Sequence, residues 1–209
     1  TVSPGGTITD IVYEGRGLVI GTYIGTNDDG GTETDPTGGG VDPDNNMVIV
    51  TSNEYDGGTD GGDGNLTEVT QHVDATTTRV TAMAYDFRNR NVTTDGEVDY
   101  FQELYYDNLN RVVKTERYDT TILGNLIARG ETRFDELGRI YQSVRYGVDP
   151  STGTVGNSLT DNTWFDQSGN VIKSLPSGSN LATKTTFDSL GRAVIMYRGY
   201  DLDETSYAD

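Results

Sequence analysis

Carboxylates are the residues of this chain most able to do chemistry. Asp and Glu number 33 against 15 Lys and Arg, and the formal charge is −18. A pair of carboxylates at the right separation could hydrolyse a glycosidic bond. No pair here stands out by spacing, or by an apolar setting that would raise one pKa. Clustered Asp and Asn oxygens on a Gly-rich backbone could instead hold Ca²⁺, which takes six to eight oxygen ligands. Two stretches have that composition, residues 27–46 and 56–65. The calcium candidates are Asp42, Asp44, Asn45, Asp60 and Asp63. Neither stretch has the twelve-residue EF-hand pattern, and the alternative for both is a solvated insertion between strands.

Other chemistry finds little support. His72 is the only histidine, and there is no cysteine. Zinc or nucleophilic catalysis needs more partners than one His supplies. The chain is therefore expected not to be an enzyme and to need no cofactor, calcium excepted. The acidic balance argues against nucleic acid and anionic lipid as partners. No apolar run reaches the length of a membrane span. Asn65-Leu66-Thr67 and Asn91-Val92-Thr93 fit the N-glycosylation acceptor pattern. Tyr105, Tyr106, Trp164, Phe165 and Phe187 suit a sugar-stacking platform or, more simply, an aromatic ladder within a sheet.

The elements that must position these residues announce themselves by repetition. A phrase of aromatic, Asp, two variable residues, Gly or Asn, and usually Arg recurs. Its copies begin at Tyr85-Asp86, Tyr106-Asp107, Phe134-Asp135, Phe165-Asp166 and Phe187-Asp188. The later positions are filled by Asn89-Arg90, Asn110-Arg111, Gly138-Arg139, Gly169-Asn170 and Gly191-Arg192. Successive aromatics lie 21, 28, 31 and 22 residues apart, a spacing that signals a repeat architecture. Weaker copies start at Tyr13-Glu14 and Tyr55-Asp56, and Tyr200-Asp201 looks like the start of another.

The phrase reads as turn chemistry. Asp accepts N–H bonds from the residues just ahead of it. Gly or Asn suits a left-handed backbone position. Together they predict a short hairpin loop with a bulge. The aromatic should cap the incoming strand, and the Arg should reach an Asp of its own or the adjacent turn. The flanking runs, such as residues 78–85, 111–118, 140–146 and 193–198, are rich in β-branched and aromatic residues. No segment holds a 3.6-residue apolar period. The chain is thus expected to be all-β, a succession of antiparallel β-hairpins with little or no helix. A single array over residues 1–209 is expected, degenerate with acidic Gly-rich insertions over 1–75 and clearer over 76–209.

The phrase and its spacing resemble the YD repeat, also called the Rhs repeat, of large bacterial surface and secreted proteins. Residues 62–67, 148–153 and 169–173 are similar to YD-repeat giants of planctomycete-type bacteria. The resemblance implies a spiralling, solenoid- or shell-like sheet and a place outside the cell or on its surface. Such sheets can enclose a C-terminal toxin or serve as adhesion scaffolds. The leading expectation is a segment or processed product of a longer chain. It would be a non-catalytic extracellular protein whose open strand edges, at residues 8–13, 18–24 and 197–200, pair with copies of itself into a fibre or surface array. The first alternative is a wall segment of a shell around a toxin or effector. The second is a cell-surface module binding glycan or calcium.

Overall fold

The computed structural model describes residues 2–3, 5–58, 61–97 and 100–200. They form fourteen strands, antiparallel to their neighbours within each unit, with no α-helix. The chain divides into two compact units, Thr1–Tyr100 and Phe101–Asp209. The first contains β1 (Ile8–Tyr13), β2 (Val19–Gly25), β3 (Val48–Tyr55), β4 (Leu66–His72), β5 (Thr78–Tyr85) and β6 (Asn91–Gly96). The second contains β7 (Tyr100–Tyr106), β8 (Val112–Tyr118), β9 (Leu126–Phe134), β10 (Ile140–Asp149), β11 (Thr154–Phe165), β12 (Val171–Leu175), β13 (Leu181–Phe187) and β14 (Ala193–Tyr200). Within each unit the order of strands in the sheet is their order in the sequence. The expected run of consecutive hairpins is what forms. Its only helical features among the described residues are single 3-10 turns at Gly38–Gly40 and Asp56–Gly58.

A chain with only 33% apolar residues has little to bury. Buried apolar side chains are few and scattered: Val12, Met47, Phe101, Val144 and Ala182. Most strand residues are half-buried, so lateral pairing across strands supplies much of the cohesion. One face of β7–β10 shows how. Register aligns Glu103, Glu116, Arg129 and Tyr146 in one row, and Tyr105, Lys114, Glu131 and Val144 in the next. Glu103 directly opposite Glu116 would repel. The buried Glu116 is held instead by Lys114 at 3.0 Å and Arg129 at 3.7 Å, and the Tyr105 hydroxyl donates to Glu103 at 2.9 Å. Arg129 also pairs with Glu131 at 2.6 Å. Lys114 Nζ sits 3.5 Å from the Tyr105 ring centroid, and the Phe101 and Tyr118 rings meet edge to face. Desolvation, then the carboxylates of Glu103 and Glu116, push the Tyr105 phenol well above its usual range.

Candidate functional site

Seven copies of the recurring phrase place their turn between an odd strand and the following even strand; the start at Tyr200-Asp201, at the end of β14, runs on outside the described residues. Copies close β1/β2, β3/β4 and β5/β6 in the first unit, and β7/β8, β9/β10, β11/β12 and β13/β14 in the second. Antiparallel strands alternate in direction, so all turns of one unit share a rim. The other connections, such as residues 26–47 and 119–125, fall on the opposite rim.

The turns are built alike. Asp86 N–H donates to the Arg90 carbonyl, and Asn89 N–H donates back to the Asp86 carbonyl. The same two bonds recur at Asp107/Arg111, Asp135/Arg139, Asp166/Asn170 and Asp188/Arg192. The Asp carboxylate then gathers the loop. Asp135 Oδ1 accepts from Leu137 N and Arg139 N, both at 2.9 Å, while Oδ2 takes Arg139 Nε at 2.6 Å. Asp107 and Asp188 do the same with Leu109 and Arg111, and with Leu190 and Arg192. The Gly or Asn position is left-handed throughout, with φ of 57° at Asn89, 63° at Asn110 and 81° at Gly138. Gly169 and Gly191 follow suit. Immediately past the turn, each return strand carries one extra residue. Tyr85 faces Asn91 while Ala84 faces Thr93, and the slip recurs in all seven hairpins. This is a β-bulge following a left-handed residue.

Every one of these carboxyls is held below the usual carboxylate range. The Arg90 side chain, aided by the Arg88 and Arg90 N–H groups, brings Asp86 to about 2. At Asp107 and Asp135 partial burial pushes upward, but the Arg111 and Arg139 N–H groups and guanidinium prevail. At Asp166 the Asn170 amide leads, because no Arg follows.

The degenerate copies keep the construction. Glu14 and Leu18 close the first turn, with Gly17 at φ 80°. At Tyr55-Asp56 the loop is longer, yet Asp56 N–H still donates to the Asn65 carbonyl, and its carboxylate accepts from Gly64 N and Asn65 N, each at 3.0 Å.

Adjacent turns are also joined, and by two devices. At Tyr55 and Tyr85 the hydroxyl crosses to the preceding hairpin: Tyr55 OH donates to the Val19 carbonyl at 3.1 Å, and Tyr85 OH to the Leu66 carbonyl at 3.0 Å. At Phe134 and Phe165 the Arg of the preceding turn covers the ring. Arg111 Cζ lies 4.3 Å from the Phe134 centroid, and Arg139 Cζ lies 4.5 Å from that of Phe165. Arg139 Nη1 also donates to the Asp166 carbonyl at 2.7 Å, whereas Arg111 Nη1 is buried without a partner. Arg16 reaches across in the first unit, pairing with Asp56 at 2.7 Å. The Tyr-hydroxyl and Arg-over-Phe links were not foreseen. The change from Tyr to Phe at the phrase's first position, after Tyr106, was the signal for them.

Several of the remaining candidates make local bonds. Asp42 Oδ1 accepts from Asp44 N. Asn45 donates to the Asp29 and Pro36 carbonyls and accepts from Met47 N, which pins the 26–47 connection. Asp63 is exposed, and Asp60 lies outside the described residues. Among the described residues no three His, Asp or Glu side chains are grouped to hold a metal. His72 Nε2 lies 3.0 Å from Ser52 Oγ across β3/β4. Both acceptor-pattern asparagines are engaged, Asn65 with Asn89 and Asn91 with the Thr93 carbonyl. Trp164 lies beneath Lys173, at 4.5 Å from Nζ to centroid. No helix among the described residues is long and apolar enough to cross a membrane.

No protein-family model and no curated protein matches the chain. Solved structures do. One is the Tc holotoxin pore of Photorhabdus luminescens carrying the TccC3 mutation D651A, with a TM-score of 0.58 at 11% identity. The match covers 93% of this chain and 9% of that one. Another is the TcdB2-TccC3-Cdc42 complex, at TM-score 0.36 and 13% identity over 92% of this chain and 12% of that one, too low a score to weigh. This chain thus spans about a tenth of the length of the chains it matches. The likeness to the holotoxin chain is one of fold.

Proposed function

We infer that this chain is a stretch of wall in a YD-repeat shell, a structural and non-catalytic element that bounds an enclosed space. The observation that carries this reading is the fold likeness to the holotoxin chain over 93% of this chain. Two features support it. The same turn is fastened to its neighbour along one rim, which suits a continuous wall. The carboxylates of Asp107, Asp135 and Asp188 are spent on closing turns. The fibre expected from open strand edges is the competing reading, and the fold likeness favours the wall over it. An extracellular site of action goes with the wall reading, as does an effector as the enclosed cargo.

Cryo-electron microscopy of the natural full-length product tests this. Particles with a closed internal cavity, in which density for these hairpins forms part of the boundary, are expected. Open filaments with no cavity would sink the wall reading and restore the fibre.

A further inference from the structure

We propose that the cleft between β1 and the 26–47 connection binds an ammonium group on an alkyl stem, the chemistry of a lysine side chain or of a free aliphatic amine. This goes beyond the wall reading and does not depend on it.

The cleft has a volume of about 570 Å³, within the usual range of ligand pockets. Gly25, where β2 ends, stands opposite Ile8 at the start of β1. The connection then doubles back, so that residues 28–36 share the cleft with β1 as far along as Tyr13. Its walls are set before any ligand arrives. Asn46 Oδ1 accepts from the N–H groups of Thr26 and Asn27, each at 2.8 Å. Asn45 Nδ2 reaches the Asp29 and Pro36 carbonyls at 3.0 and 2.9 Å. A ligand that enters therefore has little of the chain to order.

Two kinds of surface line the cleft. Ile11 and Tyr13, 45% and 52% exposed, join Pro36 as its apolar part. Asp10, Asp28 and Glu33 bring carboxylates, and no Lys, Arg or His among the described residues lines it. A ligand that matches both is apolar along its stem and cationic at its end. A metal ion matches less well, because no three carboxylates among the described residues are grouped to ligate one.

The same combination holds an ammonium elsewhere in this chain. Lys114 Nζ lies 3.5 Å from the Tyr105 centroid and 3.0 Å from Glu116, with Glu131 opposite Lys114 in register. There a tyrosine ring and carboxylates receive a lysine from the neighbouring strand. The cleft offers the same partners, Tyr13 and three carboxylates, to an incoming amine.

NMR titration of the full chain with two probes tests this, the blocked tripeptide acetyl-Gly-Lys-Gly-amide and butylammonium. Both should shift the Tyr13 ring and the amides of residues 28–36, and both should saturate. Tighter binding of the tripeptide supports a protein lysine as the ligand, and equal binding supports a free amine. The norleucine counterpart of the tripeptide keeps the stem and lacks the charge, and it should bind about tenfold more weakly. Glu33→Gln and Asp28→Asn should each weaken the lysine tripeptide roughly threefold, and high salt should weaken it further. Both residues are exposed, so neither replacement threatens the fold. Shifts spread evenly over the acidic stretches, residues 56–65 included, would show unspecific attraction and overturn the proposal. So would equal binding of the norleucine peptide, an affinity unmoved by both carboxylate variants, or tighter binding of Ca²⁺ at the same residues.

Discussion

Arg139 and Phe165 belong to different hairpins, yet the guanidinium carbon lies 4.5 Å from the ring centroid, and the same guanidinium donates to the Asp166 carbonyl at 2.7 Å. One side chain therefore closes its own turn through Asp135 and fastens the next one. Arg139→Ala should cost about 1–3 kcal/mol of unfolding free energy, since it removes a cation–π contact and charge-assisted bonds together. Arg111→Ala should cost less, because Arg111 Nη1 makes no forward bond. Urea denaturation of the two variants side by side checks the order. Equal losses would mean that the bond to Asp166 contributes nothing.

In the first unit tyrosine hydroxyls join adjacent hairpins, beside the Arg16–Asp56 pair. Tyr85→Phe keeps the ring and removes the bond to the Leu66 carbonyl, for an expected loss of about 1 kcal/mol. Tyr55→Phe should cost a similar amount through Val19. A loss confined to one variant would show that the two hydroxyls are not equivalent.

The left-handed turn position separates side chains by backbone strain. Asn110→Gly should be tolerated within about 0.5 kcal/mol, whereas Asn110→Ala at φ 63° should cost roughly 1–2 kcal/mol. Gly138→Ala at φ 81° should fall with the second group. Thermal melts suffice, and an indifferent Ala at either position would contradict the turn assignment.

Acid should unfold this chain through its turns. The carboxyls of Asp86, Asp107, Asp135, Asp166 and Asp188 all have folded pKa values below their unfolded ones. A depressed carboxyl contributes stability that is fully present above the unfolded value near 4, and that is lost as pH falls through the folded value. For Asp86 the lower limit is about 2. Melting temperature should therefore be flat above about pH 5 and fall steeply between about pH 4 and pH 2. Asp86→Asn should lower stability at neutral pH and make the acid limb shallower. A variant with an unchanged acid limb would show that Asp86 does not titrate in this window.

The turns were legible because their chemistry is local. Asp followed three residues later by Gly or Asn fixes the loop whatever the rest of the chain does, so Asp135 and Gly138 could be read without a fold. Strand runs such as Val112–Tyr118 were legible for the same reason. What joins one turn to the next was not, because it depends on which hairpins become neighbours and at what register. Asp56 shows the limit. Its loop is interrupted by inserted Gly and Asp, and only the structure shows that Asn65 still closes it. The paired charges around Glu116 were hidden likewise, since Lys114 and Arg129 reach it from two other positions in the ladder. The division at Tyr100 left no mark in the repeat pattern.

Because each signature turn joins an odd strand to an even one, the architecture has a parity. Adding or deleting a whole hairpin leaves every later turn on its original rim, with a neighbour in reach of its Arg or Tyr. Gaining or losing a single strand would send all later turns to the opposite side and sever the tie at the junction. Lineages carrying this array should therefore vary in length by two-strand modules, and the long 26–47 connection, on the rim free of these ties, is where they can vary by single residues.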